Sequence, residues 1–229
     1  ITGGSKGIGF GIAESLMKIG MKVVVTSRSQ QGADMAVERL KAIGSGEVLG
    51  LAADVKDYAS MEEAVNKTLA KFGEIDVLIA NAGLGHFGSI EDLTIDQWNE
   101  TIDTNLTGVF YTIKASLKPI ISSKGYIITI SSLAGTNFFA GGSAYNASKF
   151  GLTGFTQAIM LDLRQKGVKV STIMPGSVST YFNNHSPNHE DGWKIQIEDI
   201  GQMVVDLLSL PERTLPSKIE VRPSMPPKK

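Results

Sequence analysis

Short apolar runs recur along the chain and are separated by stretches of a different periodicity. The runs are Val23–Val25, Val48–Leu51, Val77–Ala80, Ile127–Ile130 and Val168–Met174. They are rich in β-branched residues and lack a clear alternation of apolar and polar positions. Runs of this kind are typical of strands buried on both faces, as in a parallel sheet that is covered by helices. The pattern therefore predicts a parallel sheet.

Segments with helical spacing lie between these runs. Ile8, Ile12, Leu16 and Ile19 mark one helical face, Ala33 to Ile43 form a second helix, and Met61, Val65, Leu69 and Phe72 mark a third. Two longer helices are predicted from about Ile95 to Ile121, ending near Pro119, and from about Ser143 to Lys166. Alternation of strand and helix is the βαβ signature. The sequence thus predicts an α/β fold: a single-domain, doubly wound, Rossmann-type parallel sheet with helices on both faces.

The two ends of the chain differ from the rest. Five of the eight prolines fall at or after residue 211, so we expect Ile219–Val221 to add an edge strand and residues 222–229 to form a loose tail. The numbering opens at Ile1, already at a strand-to-glycine turn, so most of a first strand is expected upstream. The sequence does not decide whether a targeting segment precedes Ile1. No linker or repeat divides the chain, and residues 1–229 are predicted to form one domain.

Charge and composition narrow the function classes. Lys and Arg (22) nearly cancel Asp and Glu (23), so no field favours nucleic acid or a membrane as a partner. The absence of cysteine removes disulfides, thiolate zinc sites and cysteine nucleophiles. No apolar run approaches the roughly 20 residues of a transmembrane helix. These features predict a soluble, cytoplasmic protein that binds small molecules.

A glycine-rich turn lies between the expected first strand and the first helix. Gly3, Gly7 and Gly9 let the backbone turn sharply and approach a pyrophosphate, whose charge is favoured by free amides at the start of a helix. The alternative is a plain turn. The spacing Gly-x-x-x-Gly-x-Gly resembles that of the short-chain dehydrogenase/reductase family. The resemblance implies cofactor contacts from Gly3, Ser5, Lys6, Gly7, Ile8 and Gly9.

The residues after the run Val23–Val25 bear on which dinucleotide is bound. An NAD enzyme usually has a carboxylate about 20 residues after the glycine turn, whereas this chain has Ser27 and Arg28. A guanidinium offers a fork to a 2′-phosphate, which a carboxylate would repel, and Lys6 adds a second cation. We therefore predict NADP(H) as the cofactor. The alternative is that Lys6 and Arg28 are two solvated surface cations.

Further turns at strand ends match the same family. Asp54 and Val55 resemble its adenine-contacting segment, and Asn81, Ala82 and Gly83 its Asn-Ala-Gly turn beside the cofactor. Asp54 has an alternative role as the N-cap of the next helix. Pro175, Gly176, Val178 and Thr180 match its Pro-Gly turn with a later Thr, which is expected to close over the nicotinamide. The resemblance covers essentially the whole chain.

The candidate catalytic residues begin with Tyr145 and Lys149. They are four residues apart on a predicted helix, so they project from one face. A free tyrosine has a pKa near 10, and the adjacent ammonium and the positive oxidised nicotinamide are both expected to lower the pKa of the phenol so that Tyr145 acts as acid and base. A structural role for the pair is the alternative. Ser132 stands 13 residues before Tyr145, the interval of the family's catalytic serine, and is expected to polarise the substrate oxygen, while Ser131 points elsewhere.

The resemblance adds Asn105 as a fourth catalytic member, connected to the lysine through a local helix irregularity and a water. The alternative is a solvated mid-helix asparagine. His86 is a candidate for the substrate mouth or a surface residue. A metal site at His185, His189 and Asp191 is conceivable, but we predict no metal.

These residues predict an NADP-dependent oxidoreductase that moves a hydride between nicotinamide and a carbonyl or alcohol carbon. Family members of this size reduce 3-oxoacyl carrier-protein thioesters, sugars, pterins and other ketones, and the sequence selects none of them. Ser177–Ile197 is the predicted lid, with apolar contacts from Tyr181, Phe182 and Trp193. The competing hypothesis is a catalytically silent NADP-binding sensor or scaffold.

The family commonly forms dimers or tetramers through its two long helices. The corresponding segments here are residues 95–121 and 143–166, which carry more apolar side chains than one sheet face needs. These side chains are Leu106, Val109, Phe110, Ile113, Phe150, Phe155 and Ile159. A homodimer or homotetramer is therefore expected.

Overall fold

The computed structural model describes residues 1–43 and 46–225. The strands are β1 (Val23–Ser27), β2 (Val48–Ala52), β3 (Val77–Ala80), β4 (Tyr126–Ile130), β5 (Lys169–Pro175) and β6 (Lys218–Val221). The longer helices are α1 (Gly7–Lys18), α2 (Gln30–Lys41), α3 (Tyr58–Phe72), α4 (Ile95–Ile102), α5 (Gly108–Ser123), α6 (Ser143–Leu163) and α7 (Ile197–Ser209). The expected alternation of strands and helices is present.

All strand pairs are parallel, in the orders β2-β1 and β3-β4-β5-β6. The segment Ile1–Gly4 lies between the two groups. Thr26 N–H donates to the Ile1 carbonyl at 3.0 Å, and Thr2 N–H donates to the Ile79 carbonyl at 3.0 Å. Strands β1 and β2 therefore lie on one side of this segment and β3 to β6 on the other. The position where the strand order reverses is the switch point at which doubly wound sheets bind ligands.

Helices cover both faces of the sheet. Helices α1, α2 and α7 pack on one face, and α3, α5 and α6 on the other. Successive residues of β4 serve both layers, because Ile128 and Ile130 contact the first and Ile127 contacts the second. All five residues of β4 are buried. The predicted doubly wound α/β fold is confirmed.

The helix boundaries differ from the sequence prediction in several places, among them α2, which is Gln30–Lys41 rather than Ala33–Ile43, and α6, which ends at Leu163 rather than Lys166. The long helix expected from Ile95 to Ile121 is divided by a π-helical turn at Asp103–Thr107, where Gly108 N–H donates to the Asp103 carbonyl. It continues past Pro119 to Ser123. Helix α1 ends at Lys18, so Ile19 lies outside it and is 54% exposed, because Gly20 terminates the turn in a left-handed conformation.

The C-terminal segment forms the predicted edge strand β6, which pairs with β5. Residues 222–225 have no regular secondary structure, and Pro223 lies beside Gly176. The rest of the predicted loose tail, residues 226–229, lies outside the described residues. Within residues 1–43 and 46–225, no helix combines the length and apolar character needed to cross a membrane.

Candidate active site

A cleft of about 1100 Å³ runs along the carboxyl ends of β1 to β5. Most of the residues singled out in the sequence line it. They are Gly3, Ser5, Lys6, Gly7, Ile8, Ser27, Arg28, Asp54, Val55, Asn81, Ala82, Gly83, Ser132, Tyr145, Lys149, Pro175, Gly176, Val178 and Thr180. Gly9 and Asn105 lie behind the wall of the cleft rather than on it.

The glycine turn has the backbone conformation that its glycines allow. Gly3 and Gly7 have φ values of 62° and 58°, in the left-handed region that side chains disfavour. A Cβ on Gly9 would lie 2.5 Å from Asn81 Nδ2 and 2.6 Å from the Gly3 carbonyl. Because Gly9 has no side chain, the first turn of α1 can approach Asn81 at the end of β3. Gly9 thus supports the glycine turn and does not line the cleft. Asn81 fixes this arrangement by donating to the Thr2 carbonyl at 2.9 Å.

One end of the cleft is rich in cations. The exposed side chains of Lys6 and Arg28 line it together with Lys56, which the sequence analysis did not identify. Beside them, the buried Thr26 hydroxyl has no hydrogen-bond partner among the described residues. An unsatisfied buried hydroxyl is unfavourable and fits a polar ligand at this position. Glycines with left-handed backbone, free cations and this hydroxyl fit a phosphorylated dinucleotide.

Asp54 does not cap the helix that follows it. The N-cap of α3 is Asp57, whose carboxylate accepts from Ala59 N–H, whereas the carboxylate of Asp54 accepts from Lys56 N–H at 3.0 Å. The alternative role considered for Asp54 is therefore wrong. Its position on the cleft wall is compatible with the predicted adenine contact.

Tyr145 and Lys149 lie near the start of α6, as predicted, with the Lys149 ammonium 5.7 Å from the centroid of the Tyr145 ring. Lys149 is buried and donates to the Ile130 carbonyl at 3.0 Å. Burial lowers the pKa of Lys149 to about 8. Burial raises the pKa of the Tyr145 phenol, and the Ser132 hydroxyl acts in the opposite direction. Desolvation therefore outweighs the protein's own neighbouring groups, and the lowering of the Tyr145 pKa expected with a bound oxidised nicotinamide stays a prediction.

The two serines after β4 face different ways, as expected for successive residues of an extended segment. Ser131 contacts α6, with its hydroxyl 3.0 Å from that of Thr153. Ser132 faces the cleft, where its hydroxyl accepts from Ala134 N–H at 3.1 Å and donates to the Pro175 carbonyl at 3.4 Å. A short turn after β4 therefore holds Ser132 beside Tyr145.

Asn105 is fully buried and joins two elements of the site. Its carboxamide accepts from Leu84 N–H at 2.9 Å and donates to the Leu84 carbonyl at 2.7 Å and to the Ser148 hydroxyl at 3.0 Å. The π-helical turn places this side chain inward. The alternative of a solvated asparagine is wrong. A Cβ on Gly83 would lie 3.2 Å from Asn105 Oδ1 and 3.6 Å from Lys149 Nζ, so Gly83 borders both groups.

The segment Ser177–Ile197 lies over one side of the cleft and is held together by Asp191. The buried carboxylate of Asp191 pairs with Lys194 and His185, both at 2.5 Å, and accepts from the Ser179 hydroxyl at 2.9 Å. These partners lower the pKa of Asp191, with Lys194 making the largest contribution. Asp191 thus links the two halves of the predicted lid.

The three histidines show no metal-binding arrangement. His86 lines the cleft and lies 2.8 Å from Glu100, and His185 is paired with Asp191. His189 is exposed in a short 3₁₀ turn. Among the described residues, no group of three or more histidine and carboxylate side chains could hold a metal ion.

Aromatic residues surround Tyr145 on the side away from the cations. Of the predicted lid contacts, Tyr181 and Phe182 line the cleft, whereas Trp193 does not. The ring centroids of Phe87 and Phe182 lie 5.3 Å and 5.6 Å from that of Tyr145. Phe87 was missed in the sequence, and its position shortly after a strand end was the signal that could have indicated it.

The two long helices present less free apolar surface than predicted. Val109 and Ile113 are buried in the protein's own core, because they pack against β3 and β4. Phe110 and Phe150 are 45% and 43% exposed. An apolar face remains on α5 and α6, and it is smaller than the sequence indicates.

A doubly wound sheet with a glycine turn at its switch point is the architecture of dinucleotide-binding α/β proteins. The family model described as short chain dehydrogenase matches residues 1–191. The chain belongs to this family.

Individual relatives agree with this membership. The 3-oxoacyl-(acyl-carrier-protein) reductase of Salmonella typhimurium is 38% identical over 181 residues, which are 79% of this chain and 72% of that protein. An uncharacterized oxidoreductase of Staphylococcus saprophyticus is 33% identical, covering 97% of this chain and 95% of its own length.

Solved structures resemble the whole chain. An alcohol dehydrogenase from Thermococcus sibiricus in complex with 5-hydroxy-NADP is 30% identical with a TM-score of 0.92, covering 100% of this chain and 97% of that one. A metagenomic short-chain oxidoreductase in complex with NADP is 34% identical with a TM-score of 0.85, covering 99% and 96%.

Proposed function

We propose that this protein is an NADP-dependent oxidoreductase that transfers a hydride between nicotinamide and a carbonyl or alcohol carbon, with Tyr145 as the acid and base. The observation that carries this proposal is the convergence of Tyr145, Lys149 and Ser132 at one wall of the cleft. The family membership supports the same reaction class. The bound nicotinamide would supply or accept the hydride.

The protein's own residues would move the proton and orient the substrate oxygen. Because burial raises the pKa of Tyr145, the phenol is protonated at neutral pH, the form that donates to a carbonyl oxygen. Ser132 would donate a hydrogen bond to the same oxygen. In the reverse direction, the charged Lys149 would stabilise the phenolate that accepts the alcohol proton. Asn105 would be a positioning residue, because its hydrogen bonds to Leu84 and Ser148 hold the loop after β3 against α6.

Replacing the phenol tests the reaction. Tyr145→Phe should lower the rate of ketone reduction by about 10²- to 10⁴-fold, because the proton donor is lost. NADPH absorbance follows turnover, and calorimetry should show that cofactor binding persists. Tyr111→Phe removes a phenol outside the cleft and should leave both unchanged. Normal turnover in Tyr145→Phe would refute the role of the phenol.

The preference for NADP(H) over NAD(H) rests on the cations Lys6, Arg28 and Lys56 at one end of the cleft. The NADP complexes of the two solved relatives favour the same choice. Arg28→Asp should reduce the ratio of kcat/KM for NADPH to that for NADH by about tenfold or more, since one charge-assisted hydrogen bond is replaced by repulsion. Arg213→Asp makes the same charge change at an exposed position outside the cleft. An unchanged ratio in Arg28→Asp would show that Arg28 does not bind the phosphate.

We also propose that the protein forms a homodimer or homotetramer through α5 and α6. The exposed rings of Phe110 and Phe150 support this assembly. Sedimentation velocity at micromolar concentration should show a dimer or tetramer, and a monomer would defeat the proposal. The cytoplasmic location stays a prediction.

The competing sensor or scaffold hypothesis is less favoured, because Tyr145, Lys149 and Ser132 are all in place. A protein that only binds NADP does not need them. NADP binding without reduction of any ketone in a broad panel would favour the sensor.

A further inference from the structure

Three loops that follow consecutive strands each contribute one phenylalanine to a cluster that borders the cleft, and of the three it is Phe182 that lines the cleft itself. Phe87 follows β3, Phe139 follows β4 and Phe182 follows β5. We call these three side chains the aromatic rim. Phe87 lies 6.0 Å from Phe139 and 6.2 Å from Phe182 between ring centroids, so the rim is continuous.

The aromatic rim is built next to the proton donor. The centroids of Phe87 and Phe182 lie within 5.6 Å of that of Tyr145, at interplanar angles of 59° and 54°. Separations and tilts of this kind are those of favourable aromatic pairs. A substrate whose oxygen reaches the Tyr145 hydroxyl would therefore lie close to the Phe182 ring, which lines the cleft and has Phe87 packed beside it.

The rings keep free surface that a ligand can cover. Phe87, Phe139 and Phe182 are 40%, 48% and 37% exposed. A Cβ on Gly85 would lie 2.8 Å from atoms of both Phe87 and Phe182, so this glycine lets both rings lie against the loop backbone. The backbone also joins two of the loops, because Gly88 N–H donates to the Gly141 carbonyl at 2.9 Å.

A buried amide fixes the loop that carries Phe139. Asn146, the residue after Tyr145 in α6, donates to the carbonyls of Ala134 and Asn137, both at 2.8 Å. It also accepts from Phe139 N–H at 3.4 Å. The rim and the proton donor are thus positioned by neighbouring residues of one helix.

The charged groups around the rim do not favour an anionic substrate or an acidic carrier protein. The cleft-lining cation Lys194 and the nearby His185 are both paired with Asp191, and Glu91 and Asp92 are exposed on the loop after Phe87. The cleft residue His86 is already paired with Glu100 at 2.8 Å. Recognition on this side therefore depends on apolar and aromatic contact.

We infer that the substrate is a ketone with an aromatic ring adjacent to the carbonyl, or the corresponding secondary alcohol. This inference rests on the proposed function. The aryl group packs against Phe87 and Phe182 while the carbonyl oxygen meets Tyr145 and Ser132. Reduction adds a hydride from NADPH to the carbonyl carbon and the Tyr145 proton to the oxygen, giving a benzylic alcohol and NADP⁺.

A matched ligand pair tests the aromatic preference. Acetophenone and cyclohexyl methyl ketone share a carbon skeleton, and only the first has an aromatic ring. We expect the protein to bind acetophenone about three- to tenfold more tightly, measured by calorimetry with and without NADP⁺. Equal affinity for the two ketones would overturn the inference.

Phe87→Leu and Phe182→Leu keep an apolar side chain but remove one ring each, and each should reduce this preference. Phe138→Leu is the matched control, because Phe138 is 86% exposed and belongs to no ring pair of the rim. A preference that survives in both rim variants would also overturn the inference. Circular dichroism verifies that the variants are folded.

Turnover separates this inference from the function on which it rests. If no ketone is reduced with NADPH while the binding preference depends on the rim, the oxidoreductase proposal fails and the aromatic ligand class stands. If small aliphatic ketones and acetophenone are reduced with equal kcat/KM and bound equally, the reaction stands and the aromatic class fails.

Discussion

The wall of the cleft formed by Ser132, Tyr145 and Lys149 is built differently from its mouth, which is bordered by the aromatic rim. At the wall, Lys149 and Asn105 are buried, and their polar atoms are bonded to backbone groups at strand ends. At the mouth, Phe87, Phe139 and Phe182 lie on loops and keep more than a third of their surface exposed. Hydrogen bonds hold the side chains of the wall in one arrangement. The mouth instead offers exposed aromatic surface that a ligand can cover. This difference separates the reaction from the choice of substrate.

The largest effect is expected for Lys149→Met, which removes a buried charge from the wall. We expect kcat/KM to fall by about 10²- to 10⁴-fold, because the phenolate loses its cation. The free energy of unfolding, in contrast, should increase in this variant. The pKa of Lys149 is lowered from 10.5 to about 8 in the folded protein, a shift that corresponds to about 3 kcal/mol of unfavourable burial. Loss of the hydrogen bond to Ile130 offsets about 1 kcal/mol or more of the gain.

The sign of the pH dependence follows from the lowered pKa. Below pH 8 the Lys149 ammonium is charged in both the folded and the unfolded protein, so the folded protein is destabilised by the full desolvation of this charge. Between pH 8 and about 10.5 the unfolded chain binds more protons, so wild-type stability rises relative to that of Lys149→Met. Urea unfolding of both proteins at pH 7 and pH 10 measures this. Parallel pH profiles would contradict the desolvated state of Lys149.

An intermediate effect is expected for Asn105→Ala, at the junction of wall and mouth. The substitution leaves the Leu84 amide and carbonyl without partners, which should lower the free energy of unfolding by about 2 to 4 kcal/mol. We expect kcat/KM to fall by about 10- to 100-fold as the loop after β3 loosens. Hydrogen exchange at Leu84 should accelerate. Asn99→Ala on the exposed side of α4 is the control, and equal behaviour of the two variants would argue against the junction.

The smallest effect is expected for Asp191→Asn in the lid. The neutral amide loses the charge interactions with Lys194 and His185, so the lid should loosen. We expect KM for the ketone to rise by about tenfold or less, the equivalent of one hydrogen bond, with a smaller change in kcat. Steady-state kinetics and limited proteolysis of the segment measure this. Glu190→Gln, at the exposed neighbouring residue, should change neither, and an unaltered KM in Asp191→Asn would show that the lid does not depend on this carboxylate.

The same interactions predict a loss of lid order in acid. The lowered pKa of Asp191 means that its stabilising interactions are complete above the pKa of an unfolded carboxylate and disappear as the pH falls through the folded value. The proteolysis of wild type should therefore approach that of Asp191→Asn at strongly acidic pH.

The fold was predictable because its signals are local. The apolar runs and the spacing of Ile12 and Leu16 follow directly from burial on both faces of a sheet. The glycine turn and the Tyr145–Lys149 spacing are also local. The rim was less predictable, because Phe87 and Phe139 meet only after separate loops fold against each other, and a single aromatic residue in a loop carries no periodic signal.

Charge states were the least predictable part of the site. The spacing of Tyr145 and Lys149 indicated correctly that the two side chains lie together, but it gave no sign that burial within the protein raises the pKa of Tyr145. Desolvation depends on every element packed around the phenol. The spacing of residues in the sequence indicates only which charged side chain lies next to the phenol, and not how deeply the phenol is buried.

The contacts of Asn81 make ligand binding dependent on complete folding. Its amide and backbone reach Thr2 and Gly3, which are 79 and 78 positions away in the chain. Loop closure over such a distance is unfavourable until the intervening strands have assembled. The glycine turn therefore gains its shape late, and we expect a fragment or partly folded chain to be unable to retain a dinucleotide even with every glycine intact.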